Sequence, residues 1–134
     1  MIIGFPPGGS TDIIGRVVAT KLGERLGQKI IVENRAGAGG TIGADAAAKA
    51  APDGYTLLSA NPGTHVMRQF LSKATTFDPV KDFTPLTLAW ETIAVVGVHP
   101  SVPVNNFREL LDYARKNPGK LSYGTSGVGT SHHM

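Results

Sequence analysis

The chain has 134 residues, of which 41% are hydrophobic and 17% charged, and it carries a formal net charge of +3 at pH 7. This length and balance are those of a folded chain with its own core and exclude a disordered one. The absence of cysteine excludes disulfides and thiolate metal sites. No export signal or membrane-length apolar run is recognised in the sequence, and the scattered basic residues argue against nucleic-acid binding.

The first predicted elements are a strand and a helix joined by a glycine turn. Residues 2–5 form the end of an apolar strand, and apolar residues recur at helical spacing over residues 13–22. Ser10 or Thr11 is the expected cap at the start of this helix. Gly27 is expected to end it in the left-handed conformation.

Two further strands enclose a second helix. Strands are predicted at 29–33, where β-branched residues dominate, and at 55–59. Between them a glycine-rich loop leads to Thr41, the expected cap of a second helix, which is alanine-rich from Ala44 to Ala51. Three strands alternating with two helices through short joints predict an α/β fold with a parallel sheet and flanking helices.

The rest of the chain divides at a pair of prolines. Two prolines within residues 100–104 predict a hinge, so residues 1–99 are interpreted as the N-terminal part of one domain and residues 105–134 as the start of a second. The remaining predicted elements are a helix from Asn61 to Leu71, a strand over Thr87–Val98, a helix capped by Asn105 or Asn106, and a short strand at Leu121–Tyr123.

Two loops rich in glycine and hydroxyl residues point to an anion site. In Phe5-Pro-Pro-Gly-Gly-Ser-Thr-Asp12, paired glycines allow close backbone approach to a ligand, and the first N–H groups of the helix lack partners. Residues 124–131 have the same character. Ligands bind beyond the carboxyl ends of parallel strands, where we expect four loops to lie: 5–12, 34–41, 59–64 and 124–131.

Each of these features also has a purely structural interpretation. The paired glycines can serve only to turn the chain, and Asp12 can serve as a helix cap. Glu33 and Arg35 are interpreted as a structural ion pair. His132 and His133 are not expected to bind metal, because adjacent residues point in different directions and no third ligand is near in sequence.

Nucleotide and hydrolase chemistry fit the motifs poorly, and no cofactor is predicted. Ile42 stands where the dinucleotide motif requires its third glycine, and no glycine loop ends in the lysine of a P-loop. Ser126 lies in a sequence that resembles a nucleophile elbow, but Val128 replaces the closing glycine. A serine hydrolase with His132 or His133 as base stays open as an alternative, although such closely spaced residues predict poor geometry.

Four motifs carry a resemblance to a known family. They are Phe5-Pro-Pro-Gly-Gly-Ser-Thr-Asp12, Val32-Glu-Asn-Arg-Ala-Gly-Ala-Gly-Gly-Thr-Ile-Gly43, Ala51-Pro-Asp-Gly-Tyr-Thr-Leu-Leu58 and Asn117-Pro-Gly-Lys-Leu-Ser-Tyr-Gly124. Together they resemble the Bug family, the extracytoplasmic solute receptors of tripartite tricarboxylate transporters. Relative to the usual family pattern, Gly4 replaces a proline, and the chain begins inside the first strand and stops as the second domain starts. We therefore expect it to be the N-terminal portion of a receptor.

The resemblance implies a type II periplasmic-binding-protein fold, in which two α/β domains close on a small carboxylate without catalysis. It also implies a periplasmic location and, for the full-length protein, membrane permease subunits as partners. A receptor fragment without function remains the alternative. The ligand-binding residues expected on this basis are Phe5, Gly8, Gly9, Ser10, Thr11, Asp12, Asn61, Thr64, Ser126, Gly127, Gly129 and Thr130.

Overall fold

The computed structural model describes residues 1–71, 76–128 and 130–133. Contacts group the chain into two compact units, one formed by Met1–Trp90 with Thr125–Met134 and the other by Glu91–Gly124. These units are groups of contacting residues, and the domain boundaries and the hinge at 100–104 stay predictions. Within the described ranges, no helix combines the length and apolar character that crossing a membrane requires.

A three-stranded parallel sheet lies at the centre of the first unit, as predicted. Its strands are β1 (Ile2–Ile3), β2 (Glu33–Asn34) and β3 (Leu58–Ser59), in the order β2-β1-β3. Ile3 pairs with Asn34 on one side and with Ser59 on the other. The strands are shorter than predicted, and Ile3 is completely buried. This register places the loops that follow all three strands at one edge of the sheet.

Helix α1 (Ser10–Leu26) follows β1 and packs through small residues. Gly15 and Ala19 are buried, and a Cβ at Gly15 would stand 2.6 Å from the Ile3 side chain. Ile13 and Val17 are exposed, so the buried face is not centred on the apolar residues that predict the helix. Gly27 ends the helix in the left-handed conformation, with φ 65°, as predicted.

Helix α2 (Thr41–Ala48) follows a short 3-10 turn at Ala38–Gly40. The prediction that Thr41 caps this helix is wrong, because Gly40 holds the N-cap position with φ 95° and Thr41 is its first helical residue. The helix also ends earlier than predicted, at Ala48 and not at Ala51. Close backbone contacts explain why positions 43 and 4 are glycines. A Cβ at Gly43 would stand 2.8 Å from the Gly4 Cα, and one at Gly4 would stand 2.7 Å from the Gly40 carbonyl oxygen.

The predicted helix between Asn61 and Leu71 is present in two parts. A π-helical turn at Gly63–Met67 continues into α3 (Arg68–Leu71). Next to it, the His65 ring packs edge-on against Phe83, with centroids 4.7 Å apart, and a third ring, Phe77, lies against both. This aromatic cluster gives the loop after β3 a small core of its own.

The second unit contains helix α4 (Phe107–Lys116). Of the two predicted caps, Asn105 and Asn106, the helix uses Asn106. The Asn106 side-chain oxygen accepts the Glu109 N–H at 3.0 Å. The Glu109 carboxylate in turn accepts the Asn106 side-chain N–H at 2.8 Å and the Asn105 backbone N–H at 2.7 Å.

Two strand predictions in the second half of the chain are wrong. The structure forms no strand over Thr87–Val98 or Leu121–Tyr123. A strand needs a hydrogen-bonded neighbour, and no described residue pairs with either segment. Ile93, for example, is 91% exposed.

Candidate functional site

The first glycine loop presents unpaired N–H groups, and no side chain caps the helix that follows it. Gly9 is the N-cap of α1 and makes no side-chain capping bond, so the prediction that Ser10 or Thr11 caps the helix is wrong. The first bond of the helical ladder runs from the Ile13 N–H to the Gly9 carbonyl at 3.0 Å. The N–H groups of residues 10–12 precede that bond and have no acceptor among the described residues. Of the residues that carry these donors, Ser10 is exposed, Thr11 is half-buried and Asp12 is buried.

Asp12 lies below this loop and is tied to it. Its side chain is buried, and its two oxygens accept bonds from the Gly8 N–H at 2.9 Å, Arg16 Nε at 3.0 and 3.1 Å, and Asn34 Nδ2 at 2.8 Å. The bond from Arg16, followed by those from Gly8 and Asn34, lowers the pKa of Asp12 to about 2. The carboxylate is therefore ionised and fully occupied by the protein.

Asn34 and Arg16 extend these contacts into a closed cluster. The Asn34 amide also donates to the Phe5 carbonyl at 3.0 Å, and its oxygen accepts from Arg16 Nη2 at 2.8 Å. We call Asp12, Arg16 and Asn34 the Asp12 cluster. It connects the end of β2 to both sides of the first loop.

Three predicted site residues meet around Gly40. A Cβ at this position would stand 3.1 Å from Thr64, 3.3 Å from Phe5 and 3.4 Å from the Asn61 amide nitrogen. The absence of a side chain at Gly40 therefore lets the loops after β1, β2 and β3 pack together. This arrangement agrees with the expectation that these loops share one edge of the sheet.

The loop after β3 is held by its own polar groups. Asn61 Oδ1 accepts the Thr64 N–H at 3.2 Å, and the Thr64 hydroxyl donates to the Asn61 carbonyl at 3.1 Å. The Thr64 hydroxyl also lies 2.8 Å from His65 Nδ1, whose proton it accepts in this arrangement. Thr64 is buried, so its hydroxyl serves the loop, whereas the ligand-binding role of Asn61 stays a prediction. Burial lowers the pKa of His65, whose Nε2 is buried and has no described partner.

The second loop is organised by hydroxyl groups. Ser126 donates to the buried Thr130 hydroxyl at 3.2 Å, which donates in turn to the Gly127 carbonyl at 2.7 Å. Gly127 has φ 126° and donates its N–H to Thr125 at 3.3 Å. Ser126 Oγ lies 3.2 Å from Nδ1 of His132. These residues belong to the same compact unit as the first loop.

Other predicted features have simpler outcomes. Glu33 and Arg35 form the predicted ion pair, 2.8 Å apart and exposed. In the parts of the chain that the structure describes, no three histidine, aspartate or glutamate side chains are grouped to hold a metal ion. Gly129 lies outside the described residues, and the assignment of the other ligand-binding residues stays a prediction.

Sequence reasoning missed two members of the Asp12 cluster, Arg16 and Asn34. The available signal was the position of Asn34, directly after the β-branched run of the second strand. In a parallel sheet that position adjoins the loop after the first strand. Arg16 was recognisable as the residue one helical turn after Asp12.

Comparison with known proteins decides the family. Residues 14–134 match the tripartite tricarboxylate transporter family receptor (TctC). The chain belongs to this receptor family. The match confirms the family recognised from the four motifs, and the chain spans about 40% of the length of the curated relatives it matches.

Three solved structures support the fold of this TctC chain. A Rhodopseudomonas palustris protein solved with adipate is 36% identical, with a TM-score of 0.83 over 96% of this chain and 44% of that one. MatC from the same species, solved with malate, is 42% identical, with a TM-score of 0.59 over 63% of this chain and 29% of that one. The periplasmic binding protein BugD is 31% identical, with a TM-score of 0.78 over 99% of this chain and 44% of that one. The predicted periplasmic-binding-protein fold class is confirmed.

Proposed function

We propose that this TctC chain forms part of a periplasmic receptor that binds a small carboxylate, without catalysis, and delivers it to membrane permease subunits. The family is a transporter receptor family, and two of its structural neighbours were solved with the dicarboxylates adipate and malate. The ligand of this chain belongs to the same chemical class in our proposal.

The observation that carries the proposal is the uncapped first turn of α1. The N–H groups of residues 10–12 are without acceptors among the described residues, at the positive end of a helix of 17 residues. Asp12, the charged group of the loop, is already neutralised by Arg16. A carboxylate would therefore be held by backbone dipoles and not by a full opposite charge, which favours reversible binding.

Ser126 Oγ and the nearby His132 make the serine hydrolase the second candidate. The hydroxyl protons argue against it. Thr130 donates its only proton to Gly127, so the bond between Ser126 and Thr130 uses the proton of Ser126. His132 Nδ1 then donates to Ser126 and cannot serve as the base that activates it. The contact is better explained as part of the loop structure.

Calorimetric titration of the full-length protein with mono-, di- and tricarboxylates tests the proposal. We expect binding of at least one of them, with heat that is lost when the ligand carboxylate is converted to its methyl ester. Hydrolysis of that ester by the wild-type protein, abolished in Ser126→Ala, would support the hydrolase instead. If no carboxylate binds and no ester is hydrolysed, the receptor proposal is wrong.

A further inference from the structure

We propose that Asp12, Arg16 and Asn34 are positioning residues that hold the first loop in its ligand-binding conformation and cancel the negative charge beside it. This inference rests on the proposed function, because it assigns the support of the same site. None of the three side chains needs to touch the ligand.

The Asp12 cluster fixes a loop that has little else to hold it. The loop of residues 5–9 contains two glycines, and Gly8 adopts φ 86° with nothing within 4 Å of the position that a Cβ would occupy. Local packing therefore does little to hold Gly8, and glycine is the residue with the greatest conformational freedom. The Asp12 cluster binds this loop at two points, since Asp12 accepts the Gly8 N–H and Asn34 donates to the Phe5 carbonyl.

These two bonds lie on opposite sides of the prolines Pro6 and Pro7. One holds a backbone donor and the other a backbone acceptor, and both originate from side chains that also bond to each other at 2.8 Å. The loop conformation is thus set before a ligand arrives. Such preorganisation lowers the entropy cost of binding.

The Arg16 charge also affects how an anionic ligand meets the loop. Asp12 places a buried anion directly behind a site that we propose for another anion, and two like charges near a protein surface repel each other more strongly than in bulk water. Arg16 Nε bonds to both Asp12 oxygens, while its Nη2 is held by Asn34. The ion pair has no net charge, so an incoming carboxylate meets the N–H dipoles of α1 without repulsion from Asp12.

The test uses the full-length protein with adipate and malate as probes. Asp12→Asn and Asn34→Ala are each expected to weaken binding about tenfold or more. Each substitution removes hydrogen bonds of the cluster, which leaves donors without acceptors or frees the loop to move. The matched control is Glu33→Gln, which removes an exposed carboxylate–arginine pair at the residue before Asn34. It should change affinity by less than about twofold.

Two further measurements separate positioning from general stability. Amide exchange at Gly8 should accelerate in Asp12→Asn and Asn34→Ala but not in Glu33→Gln. Arg16→Gln, which leaves the Asp12 charge uncompensated, should lose more affinity than Arg16→Lys, which keeps the positive charge beside Asp12.

Each outcome has a distinct meaning. If the wild-type protein binds a probe and both Asp12→Asn and Asn34→Ala bind it equally well, the positioning inference is overturned and the receptor function stands. If affinity falls but Gly8 exchange does not change, positioning is likewise overturned. If the wild type binds neither probe nor any other carboxylate, the proposed function fails, and with it the ligand role of the Asp12 cluster.

Discussion

Enlarging Gly9 tests whether the first loop contacts the ligand through its backbone. Gly9 has φ −76° and ψ 165°, which any residue adopts, and a Cβ there would meet only the Pro6 carbonyl oxygen at 3.7 Å. Space for a side chain therefore exists in the unliganded protein. A ligand held by N–H groups beside Gly9 would occupy that space, so Gly9→Val should reduce carboxylate affinity at least tenfold, or about 1.4 kcal/mol.

Gly9→Ala provides the matched control for the helix cap. Alanine and valine are both poorer N-cap residues than glycine, so each variant should lose a similar amount of stability, about 1 kcal/mol or less. Only the bulk beyond Cβ differs between them. Calorimetric titration should show affinity decreasing from Gly9 to alanine to valine, while thermal melting of the unliganded variants gives similar midpoints. Equal affinity across the series would refute backbone contact at Gly9 and place the ligand elsewhere.

Three further predictions concern stability. Gly8→Ala should cost about 1–2 kcal/mol of unfolding free energy, measured in urea, because Gly8 has φ 86°, although the space around it is open. Gly43→Ala should lower the unfolding free energy by about 1–3 kcal/mol in the same assay, because its Cβ would clash with the backbone of Gly4 and Arg35. An unchanged urea midpoint would show that the neighbouring backbone adjusts without cost. The native pKa of Asp12, about 2, lies below its unfolded value. The ionised carboxylate therefore stabilises the fold above about pH 4, and this stabilisation is lost as pH falls toward 2. Over that pH range, urea midpoints should fall less in Asp12→Asn than in the wild type.

The parallel sheet was predictable because its signals are local. The alternation of apolar strands, glycine turns and amphipathic helices requires right-handed parallel connections, and β1, β2 and β3 pair as that rule demands. The end of α1 at Gly27 and the cap of α4 at Asn106 are likewise determined by residues adjacent in sequence.

The errors arise where tertiary contacts decide. Thr41 has the chemistry of a cap, but the close backbone approach of Gly4 and Gly40 moves the helix start one residue earlier. The strand predicted over Thr87–Val98 has suitable residues and no described partner to pair with. The Asp12 cluster was missed because Asn34 reaches Asp12 only through the pairing of β1 with β2, which spacing along the chain does not reveal.

The contacts that the Asp12 cluster makes with the first loop all lie within about the first quarter of the chain. They join residues no more than 29 positions apart, within the span from Phe5 to Asn34. Closing a loop of this length costs less entropy than closing one that spans the whole chain. The first loop should therefore be ordered during synthesis, once β2 has paired with β1 and before the loop at residues 125–133 has been made. The nascent chain would then hold one of its two proposed ligand-binding loops in place while the other is still being translated.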